Sequence, residues 1–305
     1  MRTGSVVTIG TFDGVHLGHR AVLDVVASLA ASGDRERIAY VFEAPPRTTL
    51  ENHSSPRLLL PIGLRQTLLR TFVDRVEFAA FDAVRGLSPE AFVGDVLVGR
   101  LRAGHVVVGE GFRFGRSRAG DVPRLSALGR DAGFDVHAVP PAIVDGAAVS
   151  STRIRRLLGD GRVRDAAALL GRPPVLVGRI AKGDGIGRRL GYPTANLSVD
   201  PGILLPADGI YLAHAFADGH RDHGLLYVGD RPTLEGTHRR CEIHLLSPWP
   251  EELRAAQLQV HVLERVRDDR AFPSVDALSD QIGRDVAVAR KLVGRYPLPK
   301  RPIGG

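Results

Sequence analysis

Two histidines three residues apart, with a glycine between them, are the first residues in this chain whose types and spacing could do chemistry. They sit in Gly10-Thr11-Phe12-Asp13-Gly14-Val15-His16-Leu17-Gly18-His19, just after a short β-branched run, Ser5–Ile9. Apolar residues at helical spacing follow: Ala21, Val22, Val25, Val26 and Leu29. Spacing of three puts both imidazoles on one side of the first helical turn. A helix N-terminus offers free N–H groups and partial positive charge, a ready seat for phosphate. Imidazoles placed there can donate to a phosphate oxygen as charge builds on it. Gly18 would let a ligand approach the backbone. Taken alone, the run could equally be two surface histidines beside a turn.

Two other segments carry phosphate chemistry. Val149-Ser150-Ser151-Thr152-Arg153-Ile154-Arg155 places hydroxyls at a helix start and an arginine one turn in, able to fork a phosphate. By itself it could be no more than a capped helix. Gly183-Asp184-Gly185-Ile186-Gly187-Arg188-Arg189-Leu190-Gly191-Tyr192-Pro193-Thr194-Ala195-Asn196 is glycine-rich. A dinucleotide fingerprint fails here, because no helix starts cleanly across Gly191-Tyr192-Pro193 and no βαβ unit follows. A P-loop fails because Gly-Lys-Ser/Thr is absent from the sequence. What remains is a turn whose N–H groups could cradle phosphates, then Thr194 and Asn196. Spacing of two in extended chain sets both side chains on one face, and a hydroxyl with an amide oxygen suits Mg²⁺. A plain hairpin loop would use the same turn residues.

These segments, in this order, resemble the bacterial bifunctional riboflavin kinase/FMN adenylyltransferase family. GTFDGVHLGH is similar to the HxGH signature of nucleotidylyltransferases. Val108-Gly109-Glu110-Gly111-Phe112-Arg113-Phe114-Gly115 is similar to the family's VGxxFRFG stretch, followed by Gly120-Asp121, and SSTRIR to its SSTxIR motif. Gly185–Asn196 is similar to GxGRxxGYPTAN, Val228–Thr233 to NxGxxPT, and Glu242–Leu246 to ExHLL. Glu264–Arg267, Phe272 and the helix to Val293 match the family's C-terminal arrangement.

The resemblance implies two reactions: phosphorylation of riboflavin by ATP, then adenylylation of FMN to FAD with release of pyrophosphate. It nominates His16, His19 and Glu242 as catalytic. For nucleotide and flavin phosphates it nominates Gly10, Phe12, Asp13, Gly18, Arg113, Ser150, Ser151, Thr152 and Arg155 in the first half. In the second half it nominates Gly183, Gly185, Gly187, Pro193 and Asn196. Thr194 and Asn196 would hold Mg²⁺, with ATP as co-substrate. Glu242 would serve as base for a neutral hydroxyl; without the resemblance it reads as a solvent-facing strand glutamate. An FMN phosphate is already anionic and needs charge stabilisation and in-line geometry instead.

Several positions depart from the family pattern. Thr11 and Tyr227 stand where Asn is usual, Ala44-Pro45 where Pro-His is usual, and Gly111 where Asp or Asn is usual. The Tyr-Gly after ExHLL has Arg254-Ala255 as its nearest counterpart. Two alternatives follow: a paralogue with one active domain or acting on a flavin analogue, and a non-catalytic flavin-binding regulator.

The elements that must position these residues divide the chain in two. Strand-like Ser5–Ile9, Ile38–Phe42, Val76–Phe81 and Val106–Val108 alternate with helical His19–Ala31, Leu58–Phe72 and a Ser88-capped segment to Leu101. That alternation implies a parallel sheet with helices on its faces. Helices over Ser151–Leu158 and Val163–Leu170 follow, and Gly171–Pro174 reads as a linker. Beyond it come Val175–Ile180, Tyr211–Phe216, Gly224–Val228, Cys241–Leu246 and Leu258–Leu263, strands without helices between them, then a helix over Ser274–Val293. Successive short strands suggest an antiparallel sheet or barrel. The expected architecture is a Rossmann-like α/β nucleotidylyltransferase domain over 1–171 and an antiparallel β-barrel kinase domain with a C-terminal helix over 174–305.

Composition sets the outer limits. The 305 residues are 44% hydrophobic and 25% charged, the balance of a globular protein of about two domains. Of 41 basic residues 38 are arginine, scattered along the chain, and aromatics are only 6%, which argues against a nucleic-acid partner. The net charge of +7 suits anionic small substrates. Cys241 is the only cysteine and excludes an internal disulfide framework. The first residues lack the pattern of a signal peptide, and no apolar run reaches membrane-spanning length. Cytoplasmic location is the expectation, with no membrane partner and self-association left open.

Overall fold

A computed structural model of the chain describes residues 4–43, 56–181, 186–233, 236–248 and 257–305. Contacts divide the chain into two compact units, Met1–Ser151 and Thr152–Gly305.

The first unit is a parallel sheet with helical crossovers. Its elements are β1 (Ser5–Gly10), α1 (Leu17–Ala31), β2 (Arg37–Phe42), α2 (Ile62–Leu69), β3 (Arg75–Ala79) and α3 (Pro89–Ala91). A π-helical stretch, Phe92–Arg100, continues α3; β4 (Ala103–Gly109), α4 (Val122–Ala132), β5 (Asp135–Val139) and the hairpin β6 (Ile143–Val144) and β7 (Ala147–Ala148) follow. Strand order is β3-β2-β1-β4-β5, with every pair parallel. β1 is buried from Ser5 to Ile9, as a central parallel strand must be. Val7, Ile9, Val106 and Val108 pack one face of the sheet against Phe92, Val96, Leu97 and Leu125.

The second unit carries α5 (Ser151–Gly159, its first residue in the other unit) and α6 (Val163–Leu170) ahead of the sheet. Then come β8 (Val175–Ala181), α7 (Ile186–Arg189), β9 (Ala195–Val199), β10 (Gly209–Ala217), β11 (His220–Thr233), β12 (Gly236–Leu245), β13 (Gln257–Asp268) and α8 (Val275–Leu292). The strands close into an antiparallel barrel in the order β10-β11-β12-β9-β8-β13. Closure removes every free edge, and β10 is buried along its whole length. Ile210, Leu212, Leu225 and Leu263 pack with Val286 and Ala289 of α8.

The sequence reading needs local correction. The helix expected over Leu58–Phe72 is confined to Ile62–Leu69, after Pro61. Leu59 and Leu60 instead give their N–H groups to the Asp13 carboxylate. The capped segment after Ser88 begins as expected, with Ser88 accepting from Ala91 N–H, but is mostly π-helical. Helix α4 and strands β5 and β9 had no expectation. The division by contacts falls at Ser151/Thr152, whereas composition places the linker at Gly171–Pro174. Within the second unit, α6 lies against β13, Ala207 N–H donates to Leu158 O, and Val262 N–H donates to Pro174 O.

Candidate active sites

In the first unit, strand order reverses between β2-β1 and β4-β5, and both glycine-rich loops leave the carboxyl ends of β1 and β4 at that switch. Open parallel sheets bind their ligands there. The loop after β1 is held in unusual backbone: Phe12 has φ 50°, Gly14 88° and Val15 40°. A β-branched residue in the left-handed region is strained, and such strain gathers at functional loops. The loop is pinned from beneath. Phe12, Asp13 and Val15 are buried, and the Asp13 carboxylate is taken by the Leu59 and Leu60 amides at 2.9 Å and 3.3 Å. Ser151 Oγ donates to Asp13 O at 2.8 Å, tying the last residue of the first unit to this loop.

His16 is the N-cap of α1, and its Nδ1 accepts the His19 N–H at 3.3 Å. That leaves Nε2 as the proton-bearing nitrogen. The two imidazoles stack with centroids 3.6 Å apart and 13° between planes, and the Phe12 ring lies 5.1 Å from His19. A Cβ at Gly18 would come within 3.2 Å of the His16 ring and 3.4 Å of Val149 O, so glycine leaves the imidazole uncrowded here. Gly10 likewise leaves room for the Phe12 ring.

The loop after β4 brings Arg113 to Asp121, 3.1 Å away, while Asp121 caps α4 through Arg124 N–H. Phe112 and Phe114 stack at 5.7 Å, and Phe114 rests on Gly120. Ser150 lies just before α5, Thr152 is exposed on its first turn, and Arg155 is half-buried one turn on.

Sequence reasoning missed Arg65. It is fully buried, with Nη1 donating to Thr11 O at 2.8 Å and Nη2 to Glu43 O at 2.6 Å. Burial lowers its pKa, and the nearby Asp13 and Glu43 carboxylates oppose that. It ties the histidine loop to the end of β2. Its only sequence signal is an arginine on the apolar face of a helix.

In the second unit the residues meet through strand register. Asn196 on β9 pairs with Glu242 on β12, and Tyr227 on β11 pairs with Glu242 from the other side. Thr194 Oγ1 donates to Glu242 Oε2 at 3.2 Å. Arg240 Nη1 stands 3.9 Å from Glu242 Oε1. Pro193 O accepts from His244 Nδ1 at 2.9 Å, which fixes the PTAN turn to β12. Gly187 receives the Tyr192 N–H at its carbonyl, and a Cβ there would lie 2.9 Å from Thr194 Oγ1. Gly183 and Gly185, like Ala44-Pro45 and Arg254-Ala255, lie outside the described residues. Burial pushes the Cys241 thiol up to about 12, so the residue beside Glu242 is an inert thiol. A cleft of about 530 Å³ opens beside Tyr192, walled by Gly283, Val286, Ala287, Arg290 and Lys291 of α8.

A histidine-bearing helix start at the switch point of a Rossmann-like sheet, and an oxygen-donor row on an antiparallel barrel, are the candidate sites of what the family matches show to be a two-unit nucleotide-using transferase. Residues 1–153 match the FAD synthetase family model, and residues 170–293 match the riboflavin kinase family model. The bifunctional riboflavin kinase/FMN adenylyltransferase of Escherichia coli (strain K12) is 34% identical over 95% of this chain and 93% of its own. That of Pseudomonas fluorescens is 36% identical, with the same coverages. A solved structure from Streptococcus pneumoniae, described as a macrolide-efflux protein, shares the fold with a TM-score of 0.86 and 29% identity over 95% of both chains. Among the described residues no helix is long and apolar enough to cross a membrane. The chain belongs to the bifunctional riboflavin kinase/FMN adenylyltransferase family.

Proposed function

We propose that the second unit transfers the γ-phosphoryl group of ATP to the riboflavin 5′-hydroxyl, giving FMN and ADP. The first unit then joins the FMN phosphate to the α-phosphorus of a second ATP, giving FAD and pyrophosphate. The observation that carries this reading is that the two family models divide the chain between them, each spanning one of the two groups of candidate site residues.

In the first unit the nucleophile arrives charged, so the site needs donors rather than a base. His16 Nε2 and His19 would donate to phosphate oxygens that gain charge in the transition state. The start of α1 and the Ser150 and Ser151 hydroxyls add donors. In the second unit the hydroxyl must lose a proton, and Glu242 is the carboxylate placed to take it. Thr194 and Asn196 carry hard oxygen donors, a pair that fits Mg²⁺ shared with ATP phosphates. When bound, Mg²⁺ would neutralise phosphate charge there. The cleft beside Tyr192 offers an apolar wall for the flavin ring, with Arg290 and Lys291 at its rim.

The same reading places the chain in the cytoplasm, acting on small molecules without nucleic acid or membrane. The test is the purified chain with riboflavin, ATP and Mg²⁺, products resolved by chromatography. FMN and FAD together are expected. FMN alone would mean a first unit that is inactive or selective for another flavin; neither product would mean a binder.

A further inference from the structure

Tyr227 occupies a position where the family pattern has Asn, and the register sets it directly across from Glu242. Opposed residues of an antiparallel pair share a face. Tyr227, Glu242 and Asn196 therefore form one row across β11, β12 and β9. The phenol leans along β11 over Gly229. A Cβ built on Gly229 would run into the phenol oxygen and would stand 2.9 Å from Asp269 Oδ2. Tyr227 OH donates to that same Asp269 Oδ2 at 3.1 Å. The ring is half-buried and packs on the cluster of Leu212, Leu225 and Val286 that joins the barrel to α8. One side chain thus touches the Glu242 row, the packing behind the Tyr192 cleft, and the carboxylate just past β13.

We propose that Tyr227 is a positioning residue of the kinase site, holding Asp269 over Gly229 so that the Glu242 row has a closed wall on its β11 side and riboflavin is bound in one orientation. The inference rests on the assignment of the Thr194–Asn196–Glu242 row to riboflavin phosphorylation. A side chain as short as Asn could not span Gly229 and reach Asp269. Burial, with Asp269 second, raises the phenol pKa. The hydroxyl therefore stays protonated and remains a donor. Because Tyr227 acts through Asp269, it should affect how riboflavin is held and leave the phosphoryl transfer itself alone.

The test is steady-state kinetics of the full chain with riboflavin and MgATP, comparing Tyr227→Phe, Asp269→Ala, Asp269→Asn and the Tyr227→Phe/Asp269→Ala double variant. Loss of one hydrogen bond to a charged acceptor should raise the riboflavin KM about tenfold in Tyr227→Phe, with kcat within about twofold. Asp269→Ala should do the same, and the double variant should be no worse than either single one, because both remove one coupling. Asp269→Asn keeps an acceptor oxygen and should restore most of the affinity. An unchanged riboflavin KM in Tyr227→Phe overturns the proposal, as does a fall confined to kcat or full additivity in the double variant. Glu242→Gln in the same assay separates the two levels. If it too turns over normally, the site assignment has failed; if it is inactive while Tyr227→Phe is normal, only the wall has.

Discussion

The two units place their proposed phosphate-handling groups in opposite ways. In the first, the groups stand on loops and helix starts at the carboxyl ends of parallel strands. The strained Phe12–Val15 turn is pinned by Asp13, Arg65 and Ser151 rather than by a ladder. In the second, Asn196, Glu242 and Tyr227 stand on neighbouring strands, and their spacing is set by the ladder itself. Parallel strands are covered on both faces by their crossovers, so only strand ends are open to ligand. Antiparallel strands can present side chains from a face, and a barrel keeps that face rigid. The proposed chemistry follows the same split. An anionic nucleophile requires donors, and a neutral hydroxyl requires a carboxylate.

The strongest test of that contrast concerns where the second unit begins. Val163, Leu169 and Leu170 of α6 are almost fully buried, and α6 lies against β13. Their burial is worth about 5 kcal/mol or more, much of the stability of a small domain. A Thr152–Gly305 fragment should therefore melt far above a Pro174–Gly305 fragment. Equal melting temperatures would detach α6 from the barrel.

Next come the two chemistries. Glu242→Gln keeps size and hydrogen bonding but cannot take a proton, so kinase kcat should fall by about 10²–10⁴. FAD formation from supplied FMN should not change. Steady-state rates with each flavin decide it, and normal kinase turnover would remove Glu242 from the mechanism. His16→Ala and His19→Ala should each lower FAD formation by about 10²–10³ while sparing FMN formation. A variant with the wild-type rate would reduce its histidine to a turn residue.

The barrel also buries two histidines side by side on its ladder. His214 and His261 are register partners on β10 and β13 and are nearly inaccessible. Burial, then His214 and Arg172, lowers the His261 pKa to about 3; burial also lowers that of His214. His261 Nε2 contacts Gln259 Nε2 at 3.0 Å and accepts the Ile303 N–H at 3.4 Å, so its neutral form is the one built in. Below about pH 6.5 the unfolded histidine takes a proton that the folded one refuses. Stability is then lost as pH falls from about 6.5 toward 3, by about 2 kcal/mol at pH 5 for His261 alone. Thermal melts from pH 7 to pH 4.5 should show this slope for the second unit, flattened in His261→Gln. An identical slope in the variant would place the titration elsewhere.

The smallest effect should be at Thr194. Thr194→Ala removes one hydroxyl shared with Glu242. The KM for MgATP should rise about tenfold, near the value of one charged hydrogen bond, and excess Mg²⁺ should partly restore it. A kcat loss as deep as that of Glu242→Gln would mean Thr194 serves the base rather than the nucleotide.

Much of this was legible before any coordinates. Period and punctuation located β1, β2, α6, α8 and most barrel strands, because each buries a face that its own residues must supply. HxGH, SSTRIR, PTAN and ExHLL were legible as motifs because their chemistry depends on residue types at short spacing. Helix α2 was over-read because a continuous apolar run hides which N–H groups are already taken. Leu59 and Leu60 give theirs to Asp13, 46 and 47 residues away.

By itself the sequence determined the two-part α/β and barrel architecture, the residue types at each site and the family. Those are local properties: periodicity, turn chemistry and short spacings. Only the tertiary structure decided which groups meet. Barrel closure brings Glu242 to Asn196, and Thr194 to Glu242 across 48 residues. The fold carries the Arg65 side chain to Thr11 O across 54 residues and Ser151 Oγ to Asp13 O across 138. Contacts at such separations follow from how strands register and how loops are pinned, and no local pattern encodes a register that closes only when the whole barrel does.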